Sequence, residues 1–519
     1  MSNINIKRSF KQYLLYDRQN RLKILLAASA IVLQFTVFKY LYPFANYIHH
    51  DSFVYINAAH ENLDISTHPI GYSKFLRLFS VFNRTDLALT AGQYLLIQSS
   101  MLYLLFTIFY FTKLGNITQY LLLIFMVFNP LFLHLSNLVS SDGLFLALSC
   151  FWFGLLIWII YRPSNQILLW HAIVLLISFT VRYNALIYPI ISIAAFWLSG
   201  MPLSKKIYGL MITGALCSSF IFFNIYKYKK LSGYKQFTPF SGWQLANNAL
   251  YAYRYVDKKD RQPVPKKFEA LDNMVRKFFY KTRNDPFYYV EENQANTFYM
   301  WTKGLPLRRY QDSLFKNVKT TDQNKLKLWA TMAPFYRDYG KYIVQTYPLY
   351  YMRYFIWPNS KKFFALPIEF LAFYNSQTDT VTERTQKWFG YKNRIVTTNT
   401  GENKISILDF YSVLSGIISL LMLFGLLYYI MLKGWKYNLL FSKIIFVGGI
   451  FWLLNAVFSV CSASIALRFQ SFPILLSTIF VLLLVDWLIQ LMKALKLTDM
   501  NKLKIKNQVY KGIDSITTY

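Results

Sequence analysis

The chain has 519 residues, 55% of them hydrophobic, 19% aromatic and only 15% charged. A soluble chain of this length carries more charge. Here the apolar residues stand in blocks of roughly 20, the length that crosses a bilayer's hydrocarbon core as a helix. The net charge of +32 makes nucleic acid the first partner to consider. It is excluded because the basic residues lie between apolar spans instead of in one compact domain, a distribution that a membrane protein explains.

In chain order, Lys7, Arg8, Lys11, Arg18, Arg21 and Lys23 precede the first fully apolar run. That run continues to about Pro43 without a small-residue cleavage site, so it reads as a retained first span and not as a cleaved signal. The length criterion predicts spans at 22–45, 87–112, 117–135, 142–161, 167–181, 184–199, 206–226, 406–432, 440–463 and 468–492. The fifth and sixth are short. They suit either one bent unit around Arg182 or two helices in a locally thinned region. The expected fold class is an all-α polytopic membrane protein with about ten transmembrane helices and a large extracytoplasmic, mostly helical region. Its divisions are an N-terminal transmembrane module, 1–226, with its first outer loop at 46–86; the extracytoplasmic region, 227–405; C-terminal transmembrane helices, 406–495; and a basic cytoplasmic tail, 496–519.

Charge sets the expected orientation. With the N-terminus in the cytoplasm, the inner side receives Lys113, Arg162, Lys205, Lys206, Lys433, Lys436 and the lysines of the tail. Each short loop assigned inside then carries Lys or Arg, the positive-inside pattern. Region 227–405 falls outside with 31 Lys/Arg against 14 Asp/Glu. Long loops are exempt from the bias, so this excess leaves the orientation unchanged. Segments such as 340–374 mix aromatics with Lys and Arg and suit the membrane surface. Cys150, Cys217 and Cys461 each lie in an apolar run, which suits small buried side chains and gives no disulfide or zinc spacing.

Polar groups at membrane depth are costly, so those near span ends point to chemistry. Four of the six histidines, His49, His50, His60 and His68, lie in the first outer loop with Asp51, Glu61 and Asp64. Asp142 heads the fourth span, and Arg182 and Arg468 stand at the outer ends of the fifth and tenth. These groups converge on one face of the membrane. Each also has a plainer role: His68 suits a turn with Pro69, Asp142 suits a helix N-terminus, and both arginines suit snorkelling to headgroups. His49, His50, His60 and Asp51 have metal-ligand chemistry. Adjacent histidines rarely aim at one ion, however, and no metal is assigned.

The order HHDSFVYINAA, with Asp51, then HPIGY, with His68 and Tyr72, resembles the GT-C superfamily of membrane glycosyltransferases. That superfamily includes protein O-mannosyltransferases and the lipid A aminoarabinose transferase. VSSDGLFLAL with Asp142, FTVRYNALIYP with Arg182, ALRFQSFPILL with Arg468, and the stretch from Tyr342 to Pro358 are similar to further elements of the family. The resemblance covers roughly 20–226 and 340–490. It implies an enzyme that transfers a sugar from a polyprenyl-phosphate donor to a glycan, lipid or protein acceptor on the extracytoplasmic side of a bacterial inner membrane. Asp51 would be the catalytic base and Arg182 and Arg468 the donor-phosphate ligands, with His68, Tyr72 and Asp142 as further site residues. The family often has a second acid beside the catalytic one; here the neighbours are His50, Ser52 and Phe53, so no cofactor is assigned and metal dependence stays open. Two other classes also suit the spans: a transporter or lipid flippase, and a polysaccharide polymerase or ligase of another fold. The first would be expected to show an internal repeat, and none is visible.

Overall fold

The computed structural model describes residues 8–286, 297–316, 321–462 and 465–514. Among these the chain is helical, with isolated bridges but no strand ladder. Among the described residues, eight helices are long and apolar enough to cross a membrane: Arg18–Leu41, Asp86–Phe111, Asn116–Asn137, Ser141–Tyr161, Leu203–Ser232, Ser406–Met431, Leu439–Ser462 and Leu467–Leu495. Two shorter apolar helices, Asn165–Val181 and Tyr183–Leu198, fill the positions of the fifth and sixth expected spans. This is an all-α polytopic membrane protein.

The helix ends follow local chemistry. Asp17 accepts hydrogen bonds from the backbone of Gln19 and Asn20 and so starts the first long helix. Thr85 and Ser164 do the same for Asp86–Phe111 and Asn165–Val181. Asn129 followed by Pro130 interrupts the third span, and Asn129 caps the short helix Pro130–Asn137 that follows.

Burial divides the bundle into centre and rim. The most apolar windows of Asp86–Phe111, Ser141–Tyr161 and Leu467–Leu495 are 72%, 78% and 67% buried, so these helices form the centre. Arg18–Leu41, Leu203–Ser232 and Ser406–Met431 are near 20% buried and present Leu, Val and Phe outward, as a lipid-facing rim would. The centre is held by stacked aromatics, with Trp152 and Tyr188 3.8 Å apart and nearly parallel.

The long region between the helices Leu203–Ser232 and Ser406–Met431 packs in two ways. Residues 243–355 build a second core from the helices Phe240–Tyr253, Glu269–Lys281 and Asp322–Thr346 around Trp243, Trp329, Tyr336 and Tyr339. A Cβ on Gly242 would lie 2.1 Å from the Ala333 carbonyl oxygen, so glycine sets the close crossing of two of these helices. Asp272 is sealed inside this core, accepting from Tyr253 Oη at 2.8 Å, Tyr339 Oη at 2.9 Å and Arg276 Nε at 2.5 Å. Residues 363–408 join the membrane-helix core instead. The stretch 340–374 is helical through most of its length and exposes Leu349, Met352 and Trp357.

Candidate functional site

The site forms where stretches distant in sequence meet at one end of the bundle. Asp51 is the first residue of the helix Asp51–His60, where a negative charge is favoured by the unsatisfied backbone N–H groups of the first turn. Its partners come from elsewhere. Arg468 Nη1, 417 residues away, donates to Asp51 Oδ2 at 2.8 Å. His68 Nε2 lies 3.5 Å from Asp51 Oδ1. The HPIGY segment positions His68 through a close contact. Gly71 opens the helix Gly71–Phe82, and a Cβ there would stand 2.4 Å from Thr180 Oγ1 and 2.7 Å from the Thr180 carbonyl. Thr180 lies two residues before Arg182, so this glycine docks the histidine segment beside the arginine.

Arg182 follows the helix Asn165–Val181 in extended conformation and donates through Nη1 to Asp142 and, at 3.2 Å, to Ser141 Oγ. Arg468 lies in the turn Leu467–Gln470 at the head of the last span, and its Nη1 is also 3.6 Å from Asp142 Oδ2. The Asp142 side chain is 1% exposed, and Ser140 Oγ donates to it at 2.5 Å. It is thus the shared counter-ion behind both arginines. The ring of Phe469 lies 4.6 Å from the Arg182 guanidinium and 4.4 Å from that of Arg468, and Phe370 covers Arg468 at 5.1 Å. Stacking on aromatic faces suits the planar, weakly hydrated guanidinium and fixes its orientation. The buried Nε of Arg468 has no hydrogen-bond partner among the described residues.

A strap at 366–378 closes the site and brings in Glu369, a residue the sequence reading did not single out. The Leu467 N–H donates to the Pro367 carbonyl at 2.9 Å, tying the strap to the Arg468 turn. Asn375, Ser376 and Gln377 take left-handed φ values of 45°, 51° and 66°, and Glu369 takes 50°. Such backbone costs about 1–3 kcal/mol per residue and persists only where surroundings over-determine it. Here the surroundings are the residues just before Asp51. The Asn375 N–H donates to Asn46 Oδ1 at 2.7 Å, the His49 N–H donates to Ser376 Oγ at 3.2 Å, and Thr378 Oγ1 lies 2.9 Å from His49 Nε2.

The two carboxyl groups are tuned in opposite senses. Burial alone would raise Asp51. The charge of Arg468 and the hydrogen bond and charge of His68 outweigh it and hold the carboxyl well below the usual range, although the side chain keeps 25% exposure. Glu369 is pushed up to about 7, chiefly by burial, against the opposing pull of Arg468 and Lys362 and with a smaller push from Asp51.

Asp51, His68, Arg182, Arg468 and Glu369 line one cavity of about 2350 Å³ that extends toward the second core. Of the expected site residues, Asp142 stands behind the arginines, not in the lining. Tyr72 does not reach the cavity: it is fully buried, donates to Gln93 Oε1 at 2.8 Å and packs edge-on against Tyr55 at 5.0 Å, so it supports the wall. The histidines go to different partners. His49 bonds Thr378, His60 packs on Trp388, His134 packs between Phe38 and Tyr42, and His171 bonds Ser192. Among the described residues no group of three or more His, Cys, Asp or Glu is placed to hold a metal ion. Asp486 accepts from Thr118 Oγ1 at 2.7 Å and the Gly115 N–H at 3.2 Å, fastening the last helix to its neighbour. Cys461, unlike the buried Cys150 and Cys217, is exposed and lines the cavity.

The arrangement offers two fixed guanidinium groups on one aromatic ring, an ionised carboxylate beside them, and a second carboxyl able to change charge near neutrality. Such a set has the chemistry to bind an oxyanion and to accept a proton next to it. No protein-family model matches the chain, and no curated protein or solved structure matches it.

Proposed function

We propose that the chain is a membrane glycosyltransferase that moves a sugar from a polyprenyl-phosphate donor to an acceptor on the extracytoplasmic side, in agreement with the GT-C resemblance of its motifs. The observation that carries this reading is the pair Arg182 and Arg468, held on Phe469 beside Asp51 at the end of the apolar spans. A lipid-linked phosphate needs cations at that depth and a protein surface continuous with the bilayer. The cavity also exceeds the roughly 300–1,000 Å³ of ordinary ligand pockets, which suits a donor and an acceptor bound together.

The reaction then follows from the residues. The acceptor hydroxyl oxygen attacks the anomeric carbon and forms the new glycosidic bond. The bond from that carbon to the phosphate oxygen breaks, and its electron pair leaves with the phosphate. Arg182 and Arg468 stabilise the charge that grows on the phosphate oxygens. The hydroxyl proton passes to Asp51. Before donor binds, Arg468 is paired with Asp51. A phosphate that takes over part of this guanidinium relieves Asp51 of its closest positive charge and makes it a better base. The donor thereby activates the group that its own transfer requires.

In this reading there are ten spans, the N- and C-termini are cytoplasmic, and the membrane is a bacterial inner membrane. Thiol labelling from outside should reach single cysteines placed in 230–400 and near 60 but not those in 1–15 or 500–519; the reverse pattern would put Asp51 on the wrong side. The direct test is chemical. Purified protein should consume a polyprenyl monophosphate sugar without added nucleotide sugar. Turnover only with a nucleotide sugar would exclude the reading, and so would transport of an unaltered lipid-linked sugar.

A further inference from the structure

The cavity continues well past Asp51, and its far wall has a different chemistry. Phe240, Trp301 and Trp329 line it, with the rings of Trp301 and Trp329 stacked 5.7 Å apart at 12°. Trp243 stacks behind Trp329 at 5.8 Å and 16°, so three indoles form one rigid slab. The Arg308 guanidinium lies 5.7 Å from the Trp301 ring and 5.2 Å from the Trp243 ring, and donates to Gln311 Oε1 at 3.1 Å. Trp301 is only partly buried, which leaves indole surface open to the cavity. Along the same wall Trp329 Nε1 and Gln244 Oε1 are buried without a hydrogen-bond partner among the described residues. Each residue is at most 5% exposed. Buried polar atoms are rarely left so, and these mark a place where an ordered water or a ligand group belongs.

The wall also begins at the reacting centre. The Trp301 ring lies 6.4 Å from the His68 ring, and His68 Nε2 lies 3.5 Å from Asp51. Trp301 therefore stands one side chain, His68, away from the carboxylate. Among the described residues, the charged side chains of this part of the lining are Lys303, Arg308, Lys316 and Lys325 with Asp312, an excess of positive charge among those residues.

We propose that Phe240, Trp301, Trp329 and Arg308 form an acceptor subsite for an anionic saccharide, which lays a sugar ring on Trp301 and presents its hydroxyl to Asp51. The physical case is the match of surface to ligand. The C–H face of a sugar packs on an indole, as apolar surface does on any aromatic plane. The carboxylate or phosphate of the saccharide meets Arg308 and the lysines. A peptide acceptor has the charge without the ring, and a neutral glycan has the ring without the charge. The polyprenyl donor is separated by its own requirement: its phosphate goes to Arg182 and Arg468, at the membrane end of the cavity. The proposal rests on the reading of Asp51 as the centre of transfer, but it concerns binding and is tested without turnover.

The test is tryptophan-fluorescence titration of the purified full chain in detergent with three soluble probes that lack a lipid. These are hexagalacturonate (anionic sugar), maltohexaose (neutral sugar) and hexaglutamate (anionic peptide). Hexagalacturonate should bind about tenfold or more tightly than either of the others. Trp301→Ala and Arg308→Gln should each weaken it by about tenfold. Trp301→Phe, which keeps an aromatic face, should restore most of the loss, and a melting curve within a few degrees of wild type shows that each variant is folded. Trp435→Phe, at the other end of the bundle, should change nothing. Equal binding of hexaglutamate, undiminished binding to Trp301→Ala, or no binding of any probe at millimolar concentration would each overturn the subsite. None of these results bears on whether a polyprenyl monophosphate sugar is consumed, so the two readings fail separately.

Discussion

Replacing Asp142 by asparagine keeps size and removes the charge that holds both arginines. Its side chain is 1% exposed, and those of Arg182 and Arg468 are 14% and 6% exposed, so solvent screens these pairs little. The Arg468 contact alone, at 3.6 Å, corresponds to about 4–5 kcal/mol of Coulomb energy at an effective dielectric of 20. Part of this returns because the carboxylate no longer has to be desolvated. Measured losses on breaking buried pairs are about 3–5 kcal/mol, and Asp142→Asn should fall in that range. Arg468 retains the charge of Asp51 at 2.8 Å, whereas Arg182 is left with an amide oxygen and the Ser141 hydroxyl and no ionised partner among its contacts here. Arg182 should therefore be the group that loses its orientation, and donor affinity should fall along with stability. The assay is equilibrium unfolding in mixed micelles, read beside binding of a polyprenyl monophosphate sugar. A variant that unfolds within about 1 kcal/mol of wild type but transfers no sugar would refute the anchoring role and make Asp142 a participant in the chemistry.

Glu369 gives a prediction in pH. Its native carboxyl titrates near 7 while the unfolded one titrates in the ordinary range, so between these values the native state holds a proton that the unfolded state has lost. Stability should therefore fall as pH rises through that window, and Glu369→Gln should flatten the slope; a slope unchanged in the variant would assign it to another group. Gly71→Ala places a methyl group against the Thr180 backbone, which the neighbour cannot yield without shifting the helix Gly71–Phe82. It should cost about 1–3 kcal/mol and lower donor turnover by displacing His68. Wild-type melting with wild-type turnover would show that the helix moves freely.

Much of the membrane architecture was legible in the sequence because the signal is local. A run of about 20 apolar residues must be a helix in a bilayer, since only a helix satisfies its own backbone there. Even the two shorter apolar helices could be located from the polar break at Arg182. The convergence of Asp51, His68, Arg182 and Arg468 on one cavity was legible more weakly, from their shared side and not from any spacing. What was not legible depends on long-range pairing. Glu369 sits in the apolar stretch FFALPIEFLAF with no periodic signal. Only its burial in the folded strap, which outweighs the pull of Arg468 and Lys362, makes it a titrating group. Tyr72 belongs to the same motif as His68, yet the helix turn sends it to Gln93. The separate core of 243–355 rests on aromatic packing between helices up to about a hundred residues apart in sequence, which no local pattern encodes.

The central claim is that Asp51 accepts the acceptor's proton in sugar transfer. Asp51→Asn keeps the side-chain shape, and Arg468 retains Asp142 as a counter-ion, so the variant should fold and bind donor. Its rate of transfer from a polyprenyl monophosphate sugar, measured under single-turnover conditions with donor prebound, should fall by about 10²–10⁴-fold. Transfer at the wild-type rate by a folded, donor-bound Asp51→Asn protein would contradict the claim.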